Sequence, residues 1–260
     1  CIRAAHLCGS QYLCITAANA CFDEPKQKLM EYCIENLNAL VKVAEEENVI
    51  LLLGTVMGMD SPCNASTPIV LTVDEVAEII EQIGSSYLAA YADTQVLSIR
   101  GESLTDWFDR LGEKVRLVRF TDGNYNGYRI WGKGVLPAEK LAEEIYRTGF
   151  NGLISFQIPG ERYCENPKDA QKQNKRMEGG NGLPTIKREQ IVSMNQHYRR
   201  FSLDYYLECQ EKLGVENIEF WLGASHFYVD SKGYEAIQPV RKKLQDHHIK
   251  VVSVTTPSCA

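Results

Sequence analysis

Short apolar stretches alternate along the chain with longer segments whose apolar residues recur at helical spacing. The apolar stretches predict eight strands, at 11–16, 49–54, 87–93, 115–121, 152–157, 191–196, 217–222 and 250–256. Capping residues and helical periodicity predict seven helices, at 24–48, 72–83, 103–111, 137–148, 167–175, 202–213 and 233–245. Such alternation favours an α/β fold closed into a (β/α)8 TIM barrel. An open doubly wound sheet is the alternative, although no GxGxxG motif follows a strand.

The two ends of the chain fall inside one repeat of this alternation. Residues 1–9 resemble the last turns of a helix, and the strand at 250–256 has no helix after it. Residues 177–184, Met-Glu-Gly-Gly-Asn-Gly-Leu-Pro, have no periodicity and are typical of a linker. One barrel takes about 250 residues, so we expect a single domain over 1–260.

Composition narrows the class of protein. The net charge of −6 argues against nucleic acid as a partner. No apolar run is long enough to cross a bilayer, and the first residues do not resemble a signal peptide, so we expect no membrane association. The nine cysteines are an odd number without a CxxC pair, which favours free thiols and a cytoplasmic location.

Several short segments together resemble one family. They are Ser202-Leu-Asp-Tyr-Tyr-Leu, Leu213-Gly-Val-Glu-Asn-Ile-Glu-Phe-Trp221, Ser225-His226, 251–257, 107–116, 120–123, Gly132-Lys-Gly134 and Tyr163 with Pro167. This combination is similar to the xylose isomerase-like barrels of the sugar phosphate isomerase/epimerase family, in the branch of fructoselysine 3-epimerase and inosose dehydratase. The resemblance covers nearly the whole chain and implies a sugar isomerase or epimerase with a divalent metal (Mn, Mg or Zn).

The resemblance also implies a circularly permuted order. In the family, the segment at Ile191 opens the protein and the helix at Pro167 closes it. Residues 1–176 would then hold strands 4–8, 177–189 would join the natural ends, and 190–260 would hold strands 1–3. An engineered chain, a processed protein or pieces in altered order would give the same pattern. Most of the third helix is absent, and we expect a homo-oligomer or another partner to cover the apolar strip left beside the last strand.

The metal ligands that the resemblance implies are mostly replaced. The family uses Glu, Asp, His and Glu on its fifth to eighth strands, with the two Glu as acid and base. These fall at Gly54, Asp93, Arg119 and Gln157. Only Asp93 is retained, and a divalent ion does not bind beside a permanent cation with one carboxylate to hold it. We therefore expect a degenerate metal site and no firmly bound cofactor.

Four residues are the candidates for a catalytic role: Asp93, Arg119, Gln157 and His226. We expect Arg119 to pair with Asp93, either as a positive centre for an anionic or hydroxylated ligand or as a buried ion pair in an inactive site. His226 follows a strand in a loop that touches substrate in the family. Glu219, inside a strand, is expected to be paired and structural.

Five further residues are candidates for substrate binding: Asp122, Trp131, Trp221, Arg129 and Lys133. The two tryptophans could stack on a sugar ring or lie in the core. Arg129 and Lys133 follow the strand after which barrels often bind phosphate. Three functions stay open at this point: an isomerase or epimerase for a keto-sugar or sugar conjugate, an inactive relative that binds a sugar or a partner, and a metal-dependent endonuclease of the AP type.

Overall fold

The structure is a computed structural model that describes residues 1–17, 19–20, 23–56, 60–61, 64–65, 67–124, 127–158, 163, 165–175, 186–223, 225–230 and 233–256. Its centre is a closed barrel of eight strands in which every neighbouring pair is parallel. The predicted TIM barrel is therefore confirmed.

The strands follow one another around the barrel in chain order, and the last pairs with the first. They are β1 (Tyr12–Thr16), β2 (Ile50–Gly54), β3 (Leu88–Asp93), β4 (Val115–Arg119), β5 (Leu153–Phe156), β6 (Ile191–Met194), β7 (Asn217–Trp221) and β8 (Lys250–Thr255). The predicted strands are found within a few residues at each end. Because the strands are parallel, their carboxyl ends meet at one mouth of the barrel.

The helices lie outside the strands. They are α1 (Ile2–Leu7), α2 (Lys26–Glu46), α3 (Val73–Ile83), α4 (Thr94–Arg100), α5 (Leu104–Leu111), α6 (Ala138–Arg147), α7 (Pro167–Lys175), α8 (Leu203–Leu213) and α9 (Ile237–Asp246). No helix in the described part of the chain is long and apolar enough to span a bilayer.

The helix ends follow local chemistry that is visible in the sequence. Thr72 and Ser103 both form capping boxes, in which the hydroxyl accepts a backbone N–H and the acidic residue three positions later accepts one in return. Gly84 and Gly214 end α3 and α8 in the left-handed conformation, which glycine adopts without strain. These ends were predicted correctly.

Two elements differ from the sequence prediction. The sequence did not reveal α4, which begins directly after β3 and is capped by the carboxylate of Asp93. The predicted helix from residue 233 begins only at Ile237, because 229–230 and 233–234 pair as a short antiparallel hairpin. Other short hairpins, including 122–124 with 127–129, also lie in loops after the barrel strands.

The seam between β8 and β1 is covered. Leu13 and Val254 face outward from these strands and are buried. They belong to the same apolar cluster as Ile2, Ala4 and Ala5 of α1, and α1 contacts β1. The expected bare apolar strip is therefore wrong for these described residues, which are buried. The expected homo-oligomer or partner stays a prediction. The predicted order of the natural segments stays a prediction, and most of the linker at 177–189 lies outside the described residues.

Candidate functional site

The barrel interior near its carboxyl mouth is polar. Alternation along the strands turns every second residue inward. One apolar layer, formed by Cys14, Leu52, Ala89, Tyr91 and Leu117, fills the middle of the barrel. The charged side chains of Asp93 and Arg119, which end β3 and β4, and of Glu219, inside β7, lie at or above this layer.

Arg119 and Glu219 form an ion pair across the barrel. Nη2 of Arg119, at the end of β4, donates to Oε1 of Glu219 on β7 over 2.7 Å and to the hydroxyl of Thr255 on β8 over 2.7 Å. The hydroxyls of Ser155 and Thr255 donate to the two carboxylate oxygens of Glu219. Arg119 is 7% exposed and Glu219 is fully buried, so the pair is shielded from water. The expectation that Glu219 is paired is confirmed.

Tyr91 holds the guanidinium from the other side. The central carbon of the Arg119 guanidinium lies 4.4 Å from the centroid of the Tyr91 ring, in cation–π geometry. The same ring fills the space beside Gly54, where an added Cβ would lie 2.3 Å from the ring atom Cζ. The position to which the resemblance assigns the first Glu of the family is thus filled by a side chain of the neighbouring strand β3.

Asp93 does not pair with Arg119, and that prediction is wrong. The two residues are register partners on β3 and β4. Oδ1 of Asp93 accepts from the backbone N–H groups of Gln95 (3.0 Å) and Val96 (3.3 Å) and from the Thr121 hydroxyl (2.9 Å), while Oδ2 accepts from the Tyr128 phenol (3.0 Å). The Asp93 carboxylate thus accepts from the first turn of α4, from Thr121 and from the hairpin residue Tyr128. Arg119 pairs with Glu219 instead.

Burial and partners shift the pKa values of these acids in opposite directions. Burial tends to raise the pKa of Glu219, but the charge of Arg119 and the hydrogen bonds from Ser155 and Thr255 outweigh it and lower the pKa overall. For Asp93 burial dominates and raises the pKa despite Arg119 and the hydroxyl donors. Glu219 is therefore easier to ionise, and Asp93 harder to ionise, than the same side chain in water.

Two buried polar atoms at the mouth have no partner within the described part of the chain. They are Nε of Arg119 and Oε1 of Gln157. Gln157 follows β5 and donates from Nε2 to Oε1 of Gln196, a long contact of 3.4 Å. An unsatisfied buried donor and acceptor are costly, and a ligand that offers both an acceptor and a donor would relieve the cost.

His226 anchors a loop. Its Nδ1 lies 2.8 Å from Nδ2 of Asn195 and its Nε2 lies 3.1 Å from the carbonyl of Phe201. This arrangement fits a neutral ring with the proton on Nε2, and burial lowers its pKa. Asn195 also bonds both backbone groups of Trp221. With both nitrogens engaged, His226 holds the loop after β7 in place.

Of the remaining predicted binding residues, Trp131 is buried in the core, whereas Trp221, Arg129 and Lys133 are at least partly exposed. Trp131 is buried, stacks on Phe120 at 4.4 Å between ring centroids and donates to its carbonyl, so it belongs to the core. Trp221 is half-buried at the end of β7, and Lys133 is exposed. Arg129 is half-buried and donates to the carbonyl of Tyr128 over 3.0 Å.

Asp122 organises the loop after β4. Its two carboxylate oxygens accept from the backbone N–H groups of Gly123 (2.7 Å), Gly132 (2.9 Å), Gly134 (2.9 Å) and Leu136 (3.1 Å). A Cβ at Gly134 would lie 2.0 Å from Oδ1 of Asp122, so only glycine permits this approach. Asp122 thus shapes the loop from within.

A large cavity lies at the opposite end of the barrel. It measures about 1070 Å³ and is lined by residues that begin strands, such as Tyr12, Val115, Leu153 and Asn217. TIM-barrel chemistry takes place at the carboxyl ends of the strands. We therefore assign the candidate site to the polar mouth around Arg119 and not to this cavity.

The residues at the positions to which the resemblance assigns a metal do not assemble as ligands. Gly54 has no side chain, Arg119 is a cation, and Asp93 is saturated with hydrogen bonds. No group of three His, Cys, Asp or Glu side chains in the described ranges could hold an ion. The five cysteines that the structure describes are free, and burial raises the pKa of Cys14, inside the barrel, to about 12.

Comparison with known proteins identifies the family. The model of the xylose isomerase-like TIM barrel family matches residues 1–178. The chain belongs to this family. Fructoselysine 3-epimerase of Escherichia coli O157:H7 is 26% identical over 151 residues, 56% of this chain and 52% of the relative. D-psicose 3-epimerase of Enterocloster bolteae is 23% identical over 152 residues, 58% of this chain and 48% of the relative.

Solved structures agree with the barrel. A D-tagatose 3-epimerase-like protein superposes with a TM-score of 0.57 at 16% identity, over 68% of this chain and 64% of that one. At this identity the likeness shows the fold alone. The chain spans about half the length of the curated relatives it matches. What is shown is a sugar isomerase/epimerase-like member of the xylose isomerase-like barrels.

Sequence analysis missed several residues of the site. Tyr91, Ser155, Thr255 and Tyr128 contact the charged groups, yet none was a candidate. For two of them a signal existed: Tyr91 precedes Asp93 by two positions and Ser155 precedes Gln157 by two, so strand alternation turns each pair to one face. No such signal marks Tyr128, which reaches the site from a hairpin.

Proposed function

We propose that this chain binds a keto-sugar or sugar conjugate at the carboxyl mouth of its barrel and does so without a divalent metal. The observation that carries the proposal is the buried Arg119–Glu219 pair, with Tyr91 packed against it. This pair gives the mouth a rigid set of polar groups, and rigid convergent polar groups are what small-molecule sites require.

The relatives support the sugar part of the proposal. Fructoselysine 3-epimerase and D-psicose 3-epimerase act, by their names, on a sugar conjugate and a keto-sugar. The half-buried Trp221 at the mouth offers an aromatic face. Within the described part of the chain, Nε of Arg119 lacks a hydrogen-bond acceptor and Oε1 of Gln157 lacks a donor. A sugar hydroxyl is both.

The metal part rests on the donor set. Three of the four positions that would hold a divalent ion carry Gly54, Arg119 and Gln157, which do not fit one. Epimerisation by paired carboxylates also needs an acid at positions 54 and 157, and neither has one. Binding without turnover is therefore favoured over epimerisation, and the degenerate metal site is part of the proposal. An endonuclease would need still more metal ligands and a basic face, whereas this chain carries a net charge of −6.

Calorimetric titration with D-psicose and D-fructose, with and without EDTA, tests the proposal. We expect saturable binding that EDTA leaves unchanged, no epimerised product by NMR, and no stoichiometric metal by mass spectrometry. Gln157→Leu should weaken binding at least tenfold, whereas the matched surface variant Gln82→Leu should not. Tightly bound Mn or Zn together with EDTA-sensitive turnover would contradict the proposal.

A further inference from the structure

We infer that Glu219 sets the charge selectivity of the mouth: by neutralising Arg119, it makes the site prefer uncharged sugars to anionic ones. The inference rests on the proposed sugar binding and adds a residue that determines specificity. Without Glu219, the guanidinium would lose its hydrogen-bonded counter-charge, since the Asp93 carboxylate accepts from other donors. A cation beneath the ligand without such a partner favours carboxylates and phosphates.

The geometry makes the compensation tight. The 2.7 Å contact between Nη2 and Oε1 is a charge-assisted hydrogen bond, and neither side chain is solvated enough for water to weaken it. Ser155 and Thr255 fix the carboxylate through their hydroxyls, so Glu219 cannot swing away when a ligand enters. The pair therefore presents no net charge to the mouth.

The other charged groups that face Arg119 do not restore a positive field. Asp93, on the neighbouring strand, is itself acidic and can only add negative charge. Arg129 is half-buried and Lys133 is exposed, so both cations remain in contact with solvent. Charges in contact with water are screened and contribute little.

The backbone offers no anion site here either. In the permuted order that the resemblance implies, β4 is the seventh strand of the family, and barrels often bind phosphate in the loop after that strand. Its N–H groups at Gly132, Gly134 and Leu136 already donate to the Asp122 carboxylate. A phosphate would have to displace a fully buried carboxylate to use them.

Titration with D-fructose and D-fructose 6-phosphate tests the inference. Wild-type protein should bind D-fructose at least tenfold more tightly than the phosphate. Glu219→Gln keeps the shape of the side chain but removes its charge, and it should reverse or abolish this preference. Glu216→Gln removes one exposed acidic charge from the same part of the chain and should leave the preference intact.

Each outcome bears on the inference. A wild-type preference for the phosphate overturns it while sugar binding stands, as does a Glu219→Gln protein with unchanged preference. Absence of binding for both probes overturns the proposed function and this inference together. If Glu219→Gln does not fold, the wild-type ratio decides, and the double variant Arg119→Gln/Glu219→Gln, without either charge, should keep the preference for D-fructose.

Discussion

The ring of Tyr91 lies between the guanidinium of Arg119, 4.4 Å from its centroid, and the backbone of Gly54. One side chain thus fills the space of a family ligand position and also seats the cation of the site. The arrangement ties three neighbouring strands, β2, β3 and β4, into a single packed unit. A change at any of the three positions should be felt at the other two.

Replacing Tyr91 tests this unit. Tyr91→Ala should lower the free energy of unfolding by about 3–5 kcal/mol, because it leaves a ring-sized cavity and removes the cation–π contact. Tyr91→Phe keeps the ring and should cost less than about 1 kcal/mol. Urea denaturation of both variants measures the difference, and equal losses would show that the ring does not matter.

Adding a methyl group at Gly54 tests the same contact from the other side. Gly54→Ala should cost about 1–3 kcal/mol, because the new Cβ meets the Tyr91 ring and the ring is backed by Arg119. In a Tyr91→Ala background the cost should shrink, since the obstacle is gone. A double-mutant cycle by urea denaturation gives the coupling; additive losses would contradict the contact.

Removing the cation should reverse a pH dependence. In the wild type the pKa of Glu219 is lowered, so its stabilisation is present above the unfolded pKa, about 4.5, and is lost as pH falls. Arg119→Met should cost about 3–5 kcal/mol, since the acid is left buried and unpaired. The pKa of Glu219 should then rise, and the free energy of unfolding of the variant should fall as pH increases. Denaturation from pH 8 down to about pH 3 covers both slopes, and parallel curves would refute the assignment.

A second pH dependence comes from His197. Both its ring nitrogens are buried without a partner in the described part of the chain, and burial lowers its pKa to about 3. His197 binds a proton below about pH 6.5 in the unfolded state but not in the folded state. The free energy of unfolding should therefore fall by up to about 1.4 kcal/mol per pH unit as pH falls from 6.5 toward 3. His197→Phe should flatten this part of the stability curve. Urea denaturation of both proteins over this pH range measures the slopes, and an unchanged slope in the variant would contradict the assignment.

A buried polar network joins α7 to the barrel. Gln171 donates to Ser193 (2.8 Å) and Gln210 (2.6 Å) and accepts from the Tyr198 phenol (2.9 Å). Gln171→Ala should lower the free energy of unfolding by about 1–3 kcal/mol, because buried partners lose their bonds. Lys172→Ala, on the exposed side of the same helix, serves as control and should change it by less than about 0.5 kcal/mol.

The barrel could be predicted because its determinants are local. Periodicity located the eight strands, and residues such as Thr72 and Gly84 marked helix ends by chemistry confined to a few neighbours. The contacts of the site were harder to predict from the sequence, because they join residues far apart in the chain. Arg119 and Glu219 are 100 positions apart, and nothing in either segment indicates that they meet. Asp93 is the register partner of Arg119 on the neighbouring strand, but its carboxylate already accepts four other hydrogen bonds.

Asp93 caps the start of α4, which is a different role from the metal ligand that the resemblance suggests. A residue-by-residue comparison would count it as the surviving fragment of a metal centre. Its four hydrogen bonds serve the polypeptide itself, two to the helix and two to side chains that fix the rim. Identity at a functional position can thus report on architecture alone, and a family member's chemistry has to be inferred from what each side chain touches.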